Sequence, residues 1–193
     1  MTAECDIHLT SGDWVDLGLP SGLLWATRNV GASSPTDYGN YYAWGETAPK
    51  SVYDWSTYLY ASHNSYEMTR YTGRDGLTTL RPDGDAATTN YGGRTPTKEE
   101  WQELIDNTTS RWVDINGVRG RYFTGANGNS IFIPASGCRC SSLQNRGISG
   151  YYWSSSLFQS SPRDAWSCYF DSDRLYWEHY EWRMGGFCVR AVR

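Results

Sequence analysis

Residues 164–178 read DAWSCYFDSDRLYWE, two period-two runs facing each other across a short polar turn. In the first run Trp166, Cys168 and Phe170 alternate with Ala165, Ser167, Tyr169 and Asp171. A strand sends alternate side chains to opposite faces, so the first set is expected in the core. After Ser172-Asp173 the alternation resumes, with Leu175 and Trp177 on the buried parity and Arg174, Tyr176 and Glu178 on the other. Arginine and glutamate do not share a dry core unpaired, so theirs is the wet row. Tyr169 and Tyr176 are thereby predicted to stand exposed beside charges on one surface. The chain then passes through HYEWRMGG (179–186) and ends in FCVRAVR (187–193), where Phe187, Val189 and Ala191 read as the inward row of a final central strand.

Upstream, turn chemistry dictates more strands. In residues 111–137, RWVDINGVRGRYFTGANGNSIFIPASG, Asn116-Gly117 is a two-residue hairpin signal and Asn127-Gly128 a second turn. Strands follow at about 111–115, 118–124 and 130–134. Residues 14–32, WVDLGLPSGLLWATRNVGA, give two more, Trp14 to Leu19 and Leu23 to Val30, around Pro-Ser-Gly. One helix is predicted in TPTKEEWQELIDNTT (95–109): Thr97 caps it, Glu100 reaches back, and Trp101, Leu104 and Ile105 share a face that implies packing on a sheet. Residues 33 to 94 read as loops that aromatic side chains could pin.

Bulk properties narrow the function classes. With 193 residues the chain has the size of one domain. Its formal charge of -4, with the two signs interspersed, gives no electrostatic footprint for nucleic acid or an anionic bilayer. No apolar run is long enough to span a membrane, and MTAECDIHLT lacks the basic start and apolar stretch of a secretion signal, so either export uses another route or the sequence has been trimmed at its start. The five cysteines cannot all pair; small buried apolar residues is the first reading, and a Cys168–Cys188 bridge the leading alternative. Residues 151–193 hold 12 of the 30 aromatic residues and neither lysine (Lys50, Lys98), which leaves Arg as the strong base there. Tyr, Trp, Arg, Ser and Asp without Lys is the composition of a binding surface, because rigid rings cover area at small entropy cost.

GYYWSSS (150–156), AWSCYFDSD (165–173) and GGFCVRAVR (185–193) resemble the variable C-terminal region of proteins diversified by diversity-generating retroelements, which display mutated residues on a C-type lectin-like fold. VDLGLPSGLLWATRNVGA, YYAWGET, GDAATTNYGGRTPTKEEW and IFIPASG are similar to the major-paralogue domains of gut Bacteroidales and their phages, related to the formylglycine-generating-enzyme branch of that fold. The resemblance implies an α+β fold of antiparallel strands and hairpins with one or two helices and long ordered loops, in a single domain over 1–193 with its variable region at 151–193. The implied scaffold words are YWSSS, AW, Phe170, Ser172, Arg183 and GFCVRAVR. The implied varied, ligand-contacting positions are Tyr151, Phe158, Gln159, Ser160, Arg163, Asp164, Ser167, Tyr169, Asp171, Arg174, Tyr176, Glu178, His179, Tyr180, Trp182 and Met184. Gln159, Glu178, Trp182 and Met184 lie outside the reach of an asparagine-type template codon. The implied function is noncovalent binding of a macromolecular ligand, protein or glycan, at a cell or virion surface. Tyr169, Tyr176, Tyr180 and Trp182 would be anchors; Arg163, Arg174, Asp171, Glu178 and His179 would set polarity.

Chemical sites are not expected, and no catalytic residue, cofactor or metal is assigned. The calcium tripeptides and WND of sugar-binding relatives do not occur, and RPDGD (81–85) reads as a turn or a helix cap. His8, His63 and His179 are scattered, and Cys138-Arg-Cys140 lacks zinc-knuckle spacing or a partner pair. A structural surface or fimbria-associated protein and a copper-dependent oxidase of the formylglycine-generating type are the alternatives. The oxidase would need an exposed cysteine pair, whereas parity places Cys168 in the core.

Overall fold

The computed structural model describes residues 7, 9, 12–62 and 67–193. Cys5, His8 and His63 therefore lie outside the described residues. The strands fall close to where the turn chemistry places them, although the one expected from about 111 already starts at Thr108. β1 (Trp14–Asp16) pairs antiparallel with β2 (Leu24–Asn29). β3 (Thr108–Ile115), β4 (Val118–Gly125) and β5 (Ser130–Pro134) form an antiparallel meander. Its first turn puts Asn116 at φ 53 and Gly117 at φ 84, the doubly left-handed geometry a two-residue hairpin needs.

Between residues 33 and 94 the chain is mostly irregular, apart from a 3-10 turn at Pro82–Gly84 and α1 (Ala86–Asn90). Asp85 caps α1, accepting from the Ala87 N–H, and also accepts from the Thr95 N–H and hydroxyl. This is the cap expected for RPDGD. α2 (Lys98–Asp106) carries the full capping box between Thr97 and Glu100, and it buries Trp101 and Leu104 completely. It packs on β3 and on a sheet formed by β8 (Gly150–Leu157), β9 (Asp164–Phe170) and β10 (Leu175–Trp182). A small hairpin, β6 (Cys138–Cys140) with β7 (Ser142–Gln144), precedes that sheet. The chain closes with β11 (Arg190–Val192) beside β2.

The result is an α+β arrangement of mostly antiparallel strands with two helices among the described residues. Two large apolar clusters fill it, beside a small third one of Val113, Tyr122 and Phe132. One gathers Trp25, Trp101, Phe123, Ile133, Tyr152, Cys168 and Phe170; the other gathers Tyr42, Trp44, Tyr71, Trp153, Phe187 and Ala191. The C-terminal segment runs between them, and this corrects the expectation of a single inward row. Phe187 through Val192 are all buried, with Cys188 and Val192 in the first cluster and Phe187, Val189 and Ala191 in the second. Even Arg190 is fully buried, donating to Asn29 Oδ1 and to the carbonyls of Ala26 and Phe132.

The Cys168–Cys188 bridge does not form. Both thiols are free and buried, and Tyr152 pairs with Cys168 on one side and with Cys188 on the other, which sets them two strands apart. Burial pushes the Cys188 pKa up to about 12. They behave as the small apolar residues of the first reading.

Candidate recognition surface

β10 is the edge of its sheet, with β9 at its centre and β8 beyond. Its side chains alternate half-buried and exposed from Leu175 to Trp182. Leu175 and Trp177 pack against the first core cluster, as their parity predicts. Arg174, Tyr176, Glu178, Tyr180 and Trp182 are exposed. Tyr176, Tyr180 and Trp182 are 50, 50 and 51% exposed, large values for aromatic rings on a regular strand.

Tyr169 and Tyr176 share one face, as parity predicts, but Tyr180 and Trp182 do not join them. Tyr176 pairs with Tyr169, but His179 pairs with Ser167, so three steps along β10 match two along β9. The extra residue is a β-bulge at Trp177–Glu178. Directly opposed residues point to the same face; Tyr180 opposes Trp166, three positions from Tyr169. Tyr176 and Tyr180 therefore stand on opposite faces of the ribbon, although both have even numbers.

On the first face the rings climb out of the core. Buried Phe187 meets Tyr151 at 5.2 Å, Tyr151 meets Tyr169 at 5.0 Å, and Tyr169 stacks on His179 at 5.3 Å and on Tyr176 at 6.4 Å. Tyr169 is half-buried, not exposed, and its hydroxyl donates to Asp171 Oδ2 at 2.9 Å. Burial first, and that bond second, push its pKa up to about 12. Asp171 is likewise half-buried, because its other oxygen accepts from the Asp173 and Arg174 N–H groups and closes the turn. From β4, Arg121 clamps the same turn through the carbonyls of Asp171, Ser172 and Arg174.

Ser167 is only 1% exposed, so this candidate cannot meet a ligand directly. Its hydroxyl lies 2.9 Å from His179 Nδ1 and 3.3 Å from the His179 carbonyl, and His179 Nε2 lies 3.8 Å from Glu181. The order resembles a nucleophile, base and acid, but the buried hydroxyl offers no approach to a substrate. With Nδ1–H donating to Ser167, and Ser167 to the carbonyl, the network fixes the imidazole ring. Burial holds the His179 pKa below its ordinary value and raises that of Glu181.

On the second face Phe158 stacks on Tyr180 at 4.2 Å and 8°, with Trp166 edge-on to both. Trp166 was expected in the core, yet it is half-buried at the surface, with the Lys98 ammonium 4.7 Å from its ring centre. Ala165, expected on the wet row, is fully buried. The reason is the second core cluster, in which Ala165 packs with Trp153, Leu157 and Phe187 and which covers that face at the start of β9. Between Trp153 and Leu157, β8 bulges, taking four steps against two of β9, and its serines bond to neighbours: Ser154 to the Trp166 carbonyl, Ser155 to Pro96 and Leu80.

Beyond Tyr180, the Arg163 guanidinium sits beside a touching pair of indoles, 5.1 Å from Trp55 and 5.9 Å from Trp182, whose rings are 6.3 Å apart. Arg163, Asp164, Phe158 and Tyr151 are half-buried; Gln159 and Ser160 are exposed. Gln159, Ser160 and Arg163 line an open cleft of about 780 Å3 whose other wall is Glu67, Met68 and residues 72–74. Met184 is buried at 9% and belongs to the first core cluster, so it leaves the candidate surface. The Trp182 carbonyl accepts from the Gly185 N–H at 2.9 Å, which turns the chain inward there.

Trp55, Trp166 and Lys98 join the surface without having been candidates. Trp166 had the parity of the core, and Trp55 and Lys98 arrive through contacts distant in sequence. The only signal for Trp55 was an aromatic residue amid the polar loop YDWSTY (53–58). No family model, curated protein or solved structure matches the chain.

Proposed function

We propose that this chain is a ligand-recognition domain with a C-type lectin-like fold, whose C-terminal ribbon carries side chains diversified by a retroelement. It would act noncovalently on a macromolecular ligand, protein or glycan, at a cell or virion surface. The observation that carries the reading is the half-exposure of Tyr176, Tyr180 and Trp182 on one edge strand, all three at positions the resemblance marks as varied. Rings so placed have lost much of their freedom before any ligand arrives, since Phe158, Trp166, Tyr169 and Trp55 already flank them. Ordering costs at binding are correspondingly small. Because the bulge divides the rings between two faces, a ligand touching both Tyr176 and Tyr180 reaches round the edge of the ribbon.

The test has two arms. Sequencing the neighbouring DNA should reveal a reverse transcriptase and a near-copy of the 151–193 coding segment differing at adenines. Tyr176→Ala with Trp182→Ala should leave the melting temperature nearly unchanged while abolishing ligand capture. A large loss of stability would place these rings in the core, and unchanged capture would remove the ribbon from recognition. Concentration-dependent self-association abolished by the same pair would favour a structural assembly role.

A further inference from the structure

The open cleft beside Arg163 has walls from two segments distant in sequence, residues 67–74 and 159–163, and the fold fixes their separation from beneath. Arg183, fully buried, donates from Nη1 to the Tyr71 carbonyl at 3.2 Å and to the Pro162 carbonyl at 2.8 Å, and from Nη2 to the Arg70 carbonyl at 3.1 Å. One guanidinium thus ties both walls together. They touch at Gly73, which has φ 77 and where a Cβ would lie 2.8 Å from Pro162 Cγ. Each wall is also a closed turn. Asp75 accepts from the Thr72 and Leu77 N–H groups, and Thr72 Oγ1 accepts from that of Arg74. Across the cleft the Ser161 N–H donates to the Phe158 carbonyl, and the Asp164 N–H to that of Ser161. A volume of about 780 Å3 is that of a ligand site, and walls held this way set its width before any ligand arrives.

Charge selects the ligand. Arg74 is exposed, and among the described residues no carboxylate forms a salt bridge with it. The neighbouring acid, Asp75, is engaged by backbone N–H groups. Arg163 lines the same space from the other wall, backed by Trp55 and Trp182. Against these two guanidinium groups the lining sets one carboxylate, Glu67. A guanidinium presents paired N–H donors that match the two oxygens of a carboxylate. Thr72, Gln159 and Ser160 line the cleft as groups that both donate and accept, which is what the amides of a peptide backbone require. The walls differ in origin as well. Arg74 lies outside 151–193, whereas Gln159, Ser160 and Arg163 are among the positions the resemblance implies are varied.

We propose that this cleft is a subsite of the recognition surface that takes an aspartate or glutamate side chain from an exposed loop of a protein ligand, with Arg74 as the anchor on its constant wall. The inference rests on the reading of the chain as a recognition domain with a varied ribbon. Arg74 supplies a contact common to all variants, and the opposite wall sets what surrounds the carboxylate. Arg183 is a positioning residue, since it lies beneath the walls and fixes their spacing.

The full chain, isotope-labelled and followed by amide NMR spectra, is titrated with the capped tripeptide acetyl-Ala-Glu-Ala-amide, with its Gln counterpart and with digalacturonate. The Glu peptide is expected to shift the resonances of residues 72–74 and 159–163 and to bind at least about five-fold more tightly than the Gln peptide. Arg74→Gln, at an exposed side chain, should weaken the Glu peptide by about three- to ten-fold with an unchanged melting temperature. No shift at millimolar Glu peptide, equal binding of the two peptides, or an Arg74→Gln chain that binds as the parent does would each overturn the subsite. Tighter binding of digalacturonate than of the Glu peptide at the same resonances would overturn the assignment to a protein side chain. These outcomes turn on Arg74, so the ribbon's own test, Tyr176→Ala with Trp182→Ala, stands or falls separately.

Discussion

Two regions of this molecule are built from the same three residue types and behave as opposites. Around Arg183 the chain assembles Trp44, Tyr58 and Tyr71, with the guanidinium 4.8 to 5.6 Å from their ring centres and, among the described residues, no carboxylate bonded to it. Around Arg163 it assembles Trp55 and Trp182, with Tyr180 one strand position beyond. In the first nest every polar tip is spoken for. Arg183 donates to the Tyr58 hydroxyl and to the carbonyls of Pro162, Tyr71 and Arg70; Tyr58 donates to the Trp44 carbonyl, and Trp44 to that of Ser154. On the ribbon the rings of Tyr176, Tyr180 and Trp182 are held by stacking, and half of each faces water. Directed hydrogen bonds fix which residue must be present. Ring stacking fixes where a side chain sits and leaves its identity freer.

The sharpest way to break this contrast is Arg183→Ala. Removing the guanidinium takes one donor from the Tyr58 hydroxyl and leaves the carbonyls of Arg70, Tyr71 and Pro162 without theirs around a dry cavity, so a loss of about 3–5 kcal/mol is expected in chemical denaturation. A loss below about 1 kcal/mol would mean that the nest is no more specified than the ribbon. Next comes Tyr58→Phe, which removes one hydroxyl that both accepts from Arg183 and donates to Trp44, with an expected cost of about 1–3 kcal/mol. Its counterpart on the ribbon, Tyr180→Phe, should change stability by less than about 0.5 kcal/mol in the same measurement.

The smallest effect is a pH dependence at the ribbon. Burial depresses the His179 pKa, so below its ordinary 6.5 the unfolded chain takes up a proton that the folded chain refuses. Stability should fall as the pH drops from 6.5 to the folded value. Glu181 has the opposite sign. Burial raises its pKa, so its contribution is whole below the ordinary 4.5 and is lost as the pH rises through the folded value. Thermal melts from pH 4 to 8 should lose the first slope in His179→Gln and the second in Glu181→Gln. Slopes unchanged by both substitutions would show that these groups do not report folding.

Local signals made part of this architecture legible. Thr97 and Glu100 bracket α2, and Asn116-Gly117 sets the β3–β4 register, because cap and turn chemistry act over three or four residues. Parity placed Cys168, Phe170, Leu175 and Trp177 toward the core and Arg174 and Tyr176 outside. It failed at Trp166, Ala165 and Ser167, and it gave no sign that Tyr180 and Trp182 turn to the other face. A bulge adds a residue without disturbing the alternation of residue types, so nothing in LYWEHYEW (175–182) marks it. Arg183 and Arg190 are buried with hydrogen-bond partners more than 50 residues away, such as Tyr58 and Phe132, which no periodicity encodes.

The bulge at Trp177–Glu178 has a second effect. A bare strand margin invites a neighbouring molecule to add its own backbone, and a margin rich in tyrosine and tryptophan would be a seed for fibrils. Here the kink interrupts the margin at its middle, Glu178 adds a charge beside it, and Gly185 occupies the carbonyl at its end. Whatever rings the ribbon carries, copies of the protein are discouraged from zipping together, so stickiness toward strangers need not become stickiness toward self.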